Sequence, residues 1–323
     1  MTDEMDGKED GRSSEPLAGI LVQDDEGHVV LQVGLLATLY FENAGSQPVR
    51  EAVAACFEEY RTLCGPHLHW AHPSRRGFQK LDAPPDVDPA RWLRDPSLQN
   101  QFEEEGWEFY WHGGRTKEEA SHFRVHALGR PRRGQEELGY FSASLPLDWF
   151  ANHPGSFSEL VLGWCRRLRP LHGYGGFGVM ESTRLSLAQA YGPAAYGLAR
   201  RFPGLELDDP LVHVLYLRHG IKGNNWLTVL ADSWVKTLGG LELLTKKLGE
   251  GFTFHSYPGG VMIQTGPHPQ LGDVNRRLEP VGYRQLAQVL RPIRIRSHRG
   301  FAAFGLDKER SLAWLTRFDS PLS

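Results

Sequence analysis

The chain has 323 residues, with 36 Lys and Arg against 39 Asp and Glu and a formal charge of −3, so nothing overall draws it to nucleic acid or an anionic membrane. Its 40% hydrophobic and 23% charged residues are ordinary for a globular chain that builds a core. No apolar run approaches the ~20 residues of a membrane span and none resembles a signal peptide, which predicts a cytoplasmic protein.

Residues 1–16, MTDEMDGKEDGRSSEP, are charged and almost free of apolar anchors and predict a disordered acidic tail. Residues 17–323 then read as one domain, with no linker long enough to divide it. LAGILVQ, the turn DDEG and HVVLQVGLLATLYF predict a hairpin. A helix follows, with Ser46 as its cap, Pro48 in its first turn, a stripe of Val49, Val53, Phe57, Tyr60 and Cys64, and Gly65 at its end. HLHWAH reads as a strand. FRVHALG and ELGYFSASL read as paired strands, followed by a helix with a Ser156/Glu159 capping box and the strand GFGVME. GFTFHSY, the turn PGG, VMIQTG, a helix near Tyr283–Leu290 and IRIR give the same strand–strand–helix–strand order a third time, although the residues of the three sets barely match. The predicted fold class is α+β, a mixed, mostly antiparallel sheet with helices packed on it and these units as candidate repeats. KLDAPPDVDPARW (80–92) and GRPRRGQEE (129–137) read as surface loops, and Cys56, Cys64 and Cys165 as core residues without metal spacing.

The polar knot IKGNNWLTVL (221–230) raises the question of an active site. Asn224 or Asn225 makes a good helix N-cap, and the spacing of Trp226, Leu227, Leu230, Trp234 and Leu238 predicts a helix stopped by Gly239-Gly240. Lys222 is the one acid–base group there, and no carboxylate within the stretch tunes it. In GPHPQLGDVN (266–275) two prolines stiffen the loop, Gly266 and Gly272 allow tight turns, and Asp273 and Asn275 bond their own backbone. His268 and Asp273 are the pair a ligand or hydrolytic site would use. His67 and His69 would share one strand face, but no Cys, Asp or Glu accompanies them, so no metal is expected and no other cofactor is implied. HGYGGFG contains GxGGxG but leaves a helix to enter a strand, the reverse of a phosphate-binding loop. Asp24, Asp25 and Glu26 fill a hairpin turn. Glu103, Glu104 and Glu105 precede Trp107, Tyr110 and Trp111, combining steering charge with aromatic anchors in a way that suits a basic protein partner.

IKGNNWLTVLADSWVKTLGG, YPGGVMIQTGPHPQLGDVN and PVGYRQLAQVLRPIR resemble the type VI secretion immunity family. The shared features are an I-K-G-x-N-W-L stretch, the glycine pair, the P-G-G hairpin and a P-x-L-G-D-x-N loop. The likeness is most specific in the C-terminal third and covers most of the chain from about residue 17, with the acidic tail and the ending FGLDKERSLAWLTRFD peripheral to it. The resemblance implies an antidote in the cytoplasm that binds a secreted antibacterial toxin, a nuclease effector of a type VI or similar system, and occludes its active site or substrate groove. It carries over no catalytic residue. Lys222, Gly223, Asn225, Trp226, Gly272, Asp273 and Asn275 carry over as family hallmarks expected mainly to hold the fold. The partner surface is expected at the two acidic runs and their aromatic neighbours. Two other readings stay open: a hydrolase using His268/Asp273 or His67/His69, and a structural adaptor of a secretion system.

Overall fold

The computed structural model describes residues 20–73, 77–82, 88–131, 138–152 and 155–320. The tail predicted over 1–16 lies outside the described residues, as do residues 83–87 and 132–137 of the two loops. β1 (Leu21–Gln23) turns into the long β2 (Val29–Phe41), as the sequence predicts. The Asp24 carboxylate closes that turn by accepting the amides of Glu26 at 3.0 Å and His28 at 2.9 Å. α1 (Gln47–Cys64) follows and buries Val53, Phe57, Tyr60 and Cys64, while Ser46 precedes it in an extended conformation without a side-chain cap bond. Next come β3 (Trp70–Pro73), β4 (Gln79–Lys80), α2 (Pro89–Trp92), α3 (Gln99–Glu105), β5 (Trp107–His112), β6 (Arg124–Gly129) and β7 (Gly139–Leu145). They lead to α4 (Leu147–Asn152), α5 (Ser156–Leu168), β8 (His172–Glu181), α6 (Leu185–Arg201) and α7 (Pro210–His213). The last third holds β9 (Leu227–Ala231), α8 (Asp232–Thr237), α9 (Leu241–Leu248), β10 (Phe252–Tyr257), β11 (Gly260–Thr265), α10 (Val281–Leu290) and α11 (Lys308–Leu315).

Several local expectations are corrected. Residues 227–231 form a strand, and the helix begins only at Asp232. LTVLA carries Thr228 and Val229, which are stiff at χ1 and suit a pleated surface, and β9 is buried between β8 and β11. The α5 capping box is absent, because Gly155 caps the helix with a φ of 80° and the Ser156 hydroxyl accepts from the Trp149 indole at 3.2 Å. IRIR forms no strand, and Arg294 makes a single parallel bridge to Ile221. His67 belongs to a 3₁₀ turn, Gly65–His67, so it does not share a strand face with His69. The C-terminal ending packs into the main core, where Trp314, Leu315 and Phe318 are buried.

The eleven strands among the described residues join one open sheet in the order β10-β11-β9-β8-β2-β7-β6-β5-β3-β4, with β1 on β2. Every pairing between these strands is antiparallel, and the fold is α+β. Alternation along the strands gives the sheet two unlike faces. One face is apolar: Leu39, Phe141, Ala127 and Phe109 oppose one another across four strands. Helices α1 and α5 cover it, with Phe57 edge-on to Phe109 and to Trp111 at 5.0 Å and Trp164 against Phe141 at 5.1 Å. Each such side chain contributes about 1.5–3 kcal/mol on burial. The other face is polar. His72, Tyr110, His126, Ser142, Thr38, Tyr174 and Thr228 stand opposite one another in a single row across seven strands.

Candidate functional site

A polar face inside a protein must be covered by groups that satisfy it. Here the cover is the segment LELDDP (205–210). The Glu206 amide donates to the Phe177 carbonyl at 2.8 Å, and its carbonyl accepts from Val179 at 3.0 Å, which lays the segment along β8. Asp208, fully buried, accepts the hydroxyls of Thr38 and Tyr174, each at 2.5 Å, from two adjacent strands of the row. Lys222 is only 3% exposed and points at the same place. Its ammonium donates to the Leu207 carbonyl at 2.6 Å and the Tyr174 hydroxyl at 3.2 Å, pairs with Glu206 at 3.0 Å and stands 3.8 Å from Asp208. The Asn225 amide and the Arg317 guanidinium reach Glu206 at 3.3 and 3.5 Å. Burial pushes the Glu206 carboxyl up, but Lys222 and Arg317 outweigh it and hold the group below the usual carboxylate range. Burial, reinforced by Lys222, holds His213 and His298 well below the ordinary imidazole range, His298 at about 4, so both are neutral. Lys222 does have carboxylate partners, which its own stretch lacks, because they arrive from positions 206 and 208.

Beside this network a cleft of about 260 Å³ opens between β5 and β6 and the starts of α6 and α7. Glu108 accepts from His126 at 2.8 Å, and the Tyr110 ring stacks on His126 at 4.6 Å. Arg124 pairs with Glu181 at 3.1 Å. Burial raises the carboxyls of Glu181, against the pull of Arg124, and of Asp209, which accepts the Ala303 amide at 3.0 Å. Of these groups sequence reasoning names only Tyr110, as a partner anchor, and His126, among histidines too scattered for a metal site. The signal was present, since WEFYWH and FRVHALG alternate polar and apolar residues, which puts Glu108, Tyr110, Arg124 and His126 on one face.

Residues 52–318 match the family model described as TsiV, type VI immunity for VRR-NUC. The chain belongs to this family. It is also similar in structure to the Pseudomonas aeruginosa T6SS protein PA0821, with a TM-score of 0.80 and 26% identity over 92% of this chain and 85% of that one. No curated protein sequence matches it. The TsiV match bears out the resemblance carried by the three C-terminal motifs; it runs from within α1 through α11 and begins later than the residue 17 from which the likeness was expected.

The residues that the resemblance carries over to this TsiV member lie in two clusters. Lys222, Gly223 and Asn225 lead into β9, with Lys222 and Asn225 gripping Glu206. Trp226 donates its indole N–H to the Gly266 carbonyl at 3.1 Å and stacks on Phe157 at 6.3 Å. Gly272 turns with a φ of 67°, and a Cβ there would stand 2.9 Å from Pro280. Asp273 accepts the Asn275 amide at 3.0 Å and pairs with Arg201 at 3.2 Å, so its carboxylate is engaged in structure; the Asn275 side chain is exposed. His268 lies half-buried in the same loop. His67 stacks on Phe123 at 4.2 Å and His69 is exposed. Among the described residues no group of three or more His, Cys, Asp or Glu is placed to hold a metal ion, and no helix is long and apolar enough to cross a membrane.

The two acidic runs are not brought together. Asp25 and Glu26 are exposed at the turn before β2, and Glu103 packs beside Gly45 beyond its far end. Thirteen residues of strand put about 40 Å between them. Trp107 and Trp111, at 2% and 5% exposure, are core residues and not surface anchors. The alternation of β5 sends them to the apolar face, where Trp107 donates to the Ala44 carbonyl at 2.8 Å, and leaves Tyr110 alone on the polar one. Glu103, Glu104 and Glu105 are exposed on α3.

Proposed function

We propose that this chain is an antidote that binds a VRR-NUC toxin in the cytoplasm and neutralises it by occluding its active site, without turning over any substrate. The observation that carries the reading is the family match across residues 52–318. The interior supports it. Its buried charges are largely paired with one another, as Lys222 is with Glu206 and Arg124 with Glu181, which suits a rigid scaffold that presents a surface. A protein that grips nucleic acid does so with Lys and Arg, so an inhibitor of one needs local acidic surface, and this chain has it despite a net charge of only −3.

The test has two arms. Cells expressing a VRR-NUC toxin in the cytoplasm survive when this chain is co-expressed, and the two proteins co-purify as a complex of fixed stoichiometry. Added to the purified toxin, the chain abolishes DNA cleavage once it reaches that ratio. Continued killing together with failure to co-purify overturns the proposal. Capture of secretion-apparatus components in place of the toxin favours the adaptor reading.

A further inference from the structure

The cleft beside the polar row is lined by more carboxylates than fixed cations. Glu108, Glu181, Asp208 and Asp209 line it with Arg124 and with His72 and His126, the latter paired with Glu108, while Glu206 lies behind, held by Lys222 and Arg317. His213 and His298 add no charge because burial keeps them neutral. Glu181 gives Oε1 to Arg124, while its buried Oε2 has no hydrogen-bond partner among the described residues. The wall is aromatic, with Phe78 edge-on to Tyr110 at 5.4 Å. Leu185 and Leu211 line the same cleft and are 56% and 48% exposed, leaving apolar surface at its opening.

A volume of about 260 Å³ falls below the range of about 300–1,000 Å³ for small-molecule sites and suits a single side chain. Carboxylates and aromatic rings in a half-closed pocket, rimmed by leucines that exclude water, form the surroundings in which one buried basic residue dominates an interface.

We infer that this cleft is an anchor pocket for one arginine side chain of the toxin. The inference rests on the proposed toxin-binding function and adds the place and chemistry of the contact. Charge complementarity argues for the occupant, because four carboxylates line the cleft with Arg124 as the fixed cation among them, and a nucleic-acid enzyme displays guanidinium and ammonium groups. Arginine is favoured over lysine because its planar fork takes a carboxylate with two hydrogen bonds and stacks on a ring. The raised carboxyls of Glu181 and Asp209 are the groups such a cation would relieve.

The test measures the Kd of a purified, catalytically inactive VRR-NUC toxin for the full chain and its variants. Glu181→Gln removes the open charge, and Leu211→Arg places a competing guanidinium at the rim without touching the core. Each is expected to weaken binding by about 30-fold, while Glu250→Gln, on an exposed loop after α9, changes it by less than threefold. Replacing the toxin's arginines one at a time by alanine should reveal one whose loss costs nothing further in the Glu181→Gln background. The inference is overturned, with the antidote reading intact, if wild type binds and both cleft variants, at unchanged Tm, bind within threefold of it. It is overturned as well if arginine amide alone binds at micromolar Kd while toxin binding ignores the variants, which would make the cleft a small-molecule site. A wild-type chain that binds no toxin removes both readings.

Discussion

Replacing Lys222 by methionine keeps the length of the side chain and deletes its charge. Glu206 would then keep the neutral Asn225 amide, at 3.3 Å, and Arg317 as its cation, at 3.5 Å, and Asp208 would lose the ammonium within 4 Å of it. Breaking a buried ion pair from one side costs about 3–5 kcal/mol, because the partner charge stays in a poorly solvated place. At about 2.1 cal/mol/K per residue, 323 residues give an unfolding entropy near 0.7 kcal/mol/K, so a loss of about 4 kcal/mol lowers Tm by about 6 °C. Adding Glu206→Gln removes the stranded charge, and the double variant should recover about 1–3 kcal/mol relative to the sum of the single changes. Calorimetry measures both values. Toxin binding by the folded Lys222→Met protein, read at low temperature, should stay within threefold of wild type, since the ammonium is buried. A Tm within 1 °C of wild type, or strict additivity in the double variant, would refute the view that this hallmark lysine neutralises the LELDDP cover.

Two further outcomes follow from packing and burial. Gly192→Ala should destabilise by about 1–3 kcal/mol although alanine is the better helix former by about 1 kcal/mol, because its Cβ would stand 1.9 Å from the Phe304 carbonyl oxygen; denaturant unfolding that shows a gain in stability refutes this close approach. Burial holds His112 and His298 at about 4, His172 at about 3 and His213 far down as well. These imidazoles are neutral when folded and charge on unfolding, so their contribution is intact above pH 6.5 and declines as pH falls toward 4. From pH 7 to 5.5 each loses about 1 kcal/mol, while the raised carboxyls of Glu181 and Asp209 act with the opposite sign and offset part of it. Tm should therefore fall over that interval, and a His213→Gln/His298→Gln variant should fall less; identical profiles for the two proteins would sink this account.

Much of the fold could be read from local pattern. The hairpin of β1 and β2, the α1 stripe and the β6–β7 pair each announce themselves by period or by a turn. The stretch 221–230 could not, because Trp226, Leu230, Trp234 and Leu238 recur every four residues as in a helix, and only the place of β9 between β8 and β11 decides for a strand. Trp107 and Trp111 looked like anchors because runs of aromatics were read as a unit without following their alternation. The cleft is legible only in part: the alternation of β5 and β6 shows one wall, and the groups facing it come from far along the chain. Arg124 and Glu181 are 57 residues apart, Thr38 and Asp208 are 170 apart, and nothing local in either pair names its partner.

The sheet's centre also has a consequence for how the protein is made. β2 ends at Phe41, yet its two partners, β7 and β8, finish only at Leu145 and Glu181. At about 5–20 residues per second a ribosome needs about 7–28 s to deliver the remaining 140 residues to Glu181, and until β7 and then β8 arrive the thirteen-residue β2 has only the three-residue β1 beside it. An antidote built this way protects from a stock already folded, not from molecules begun when the attack arrives.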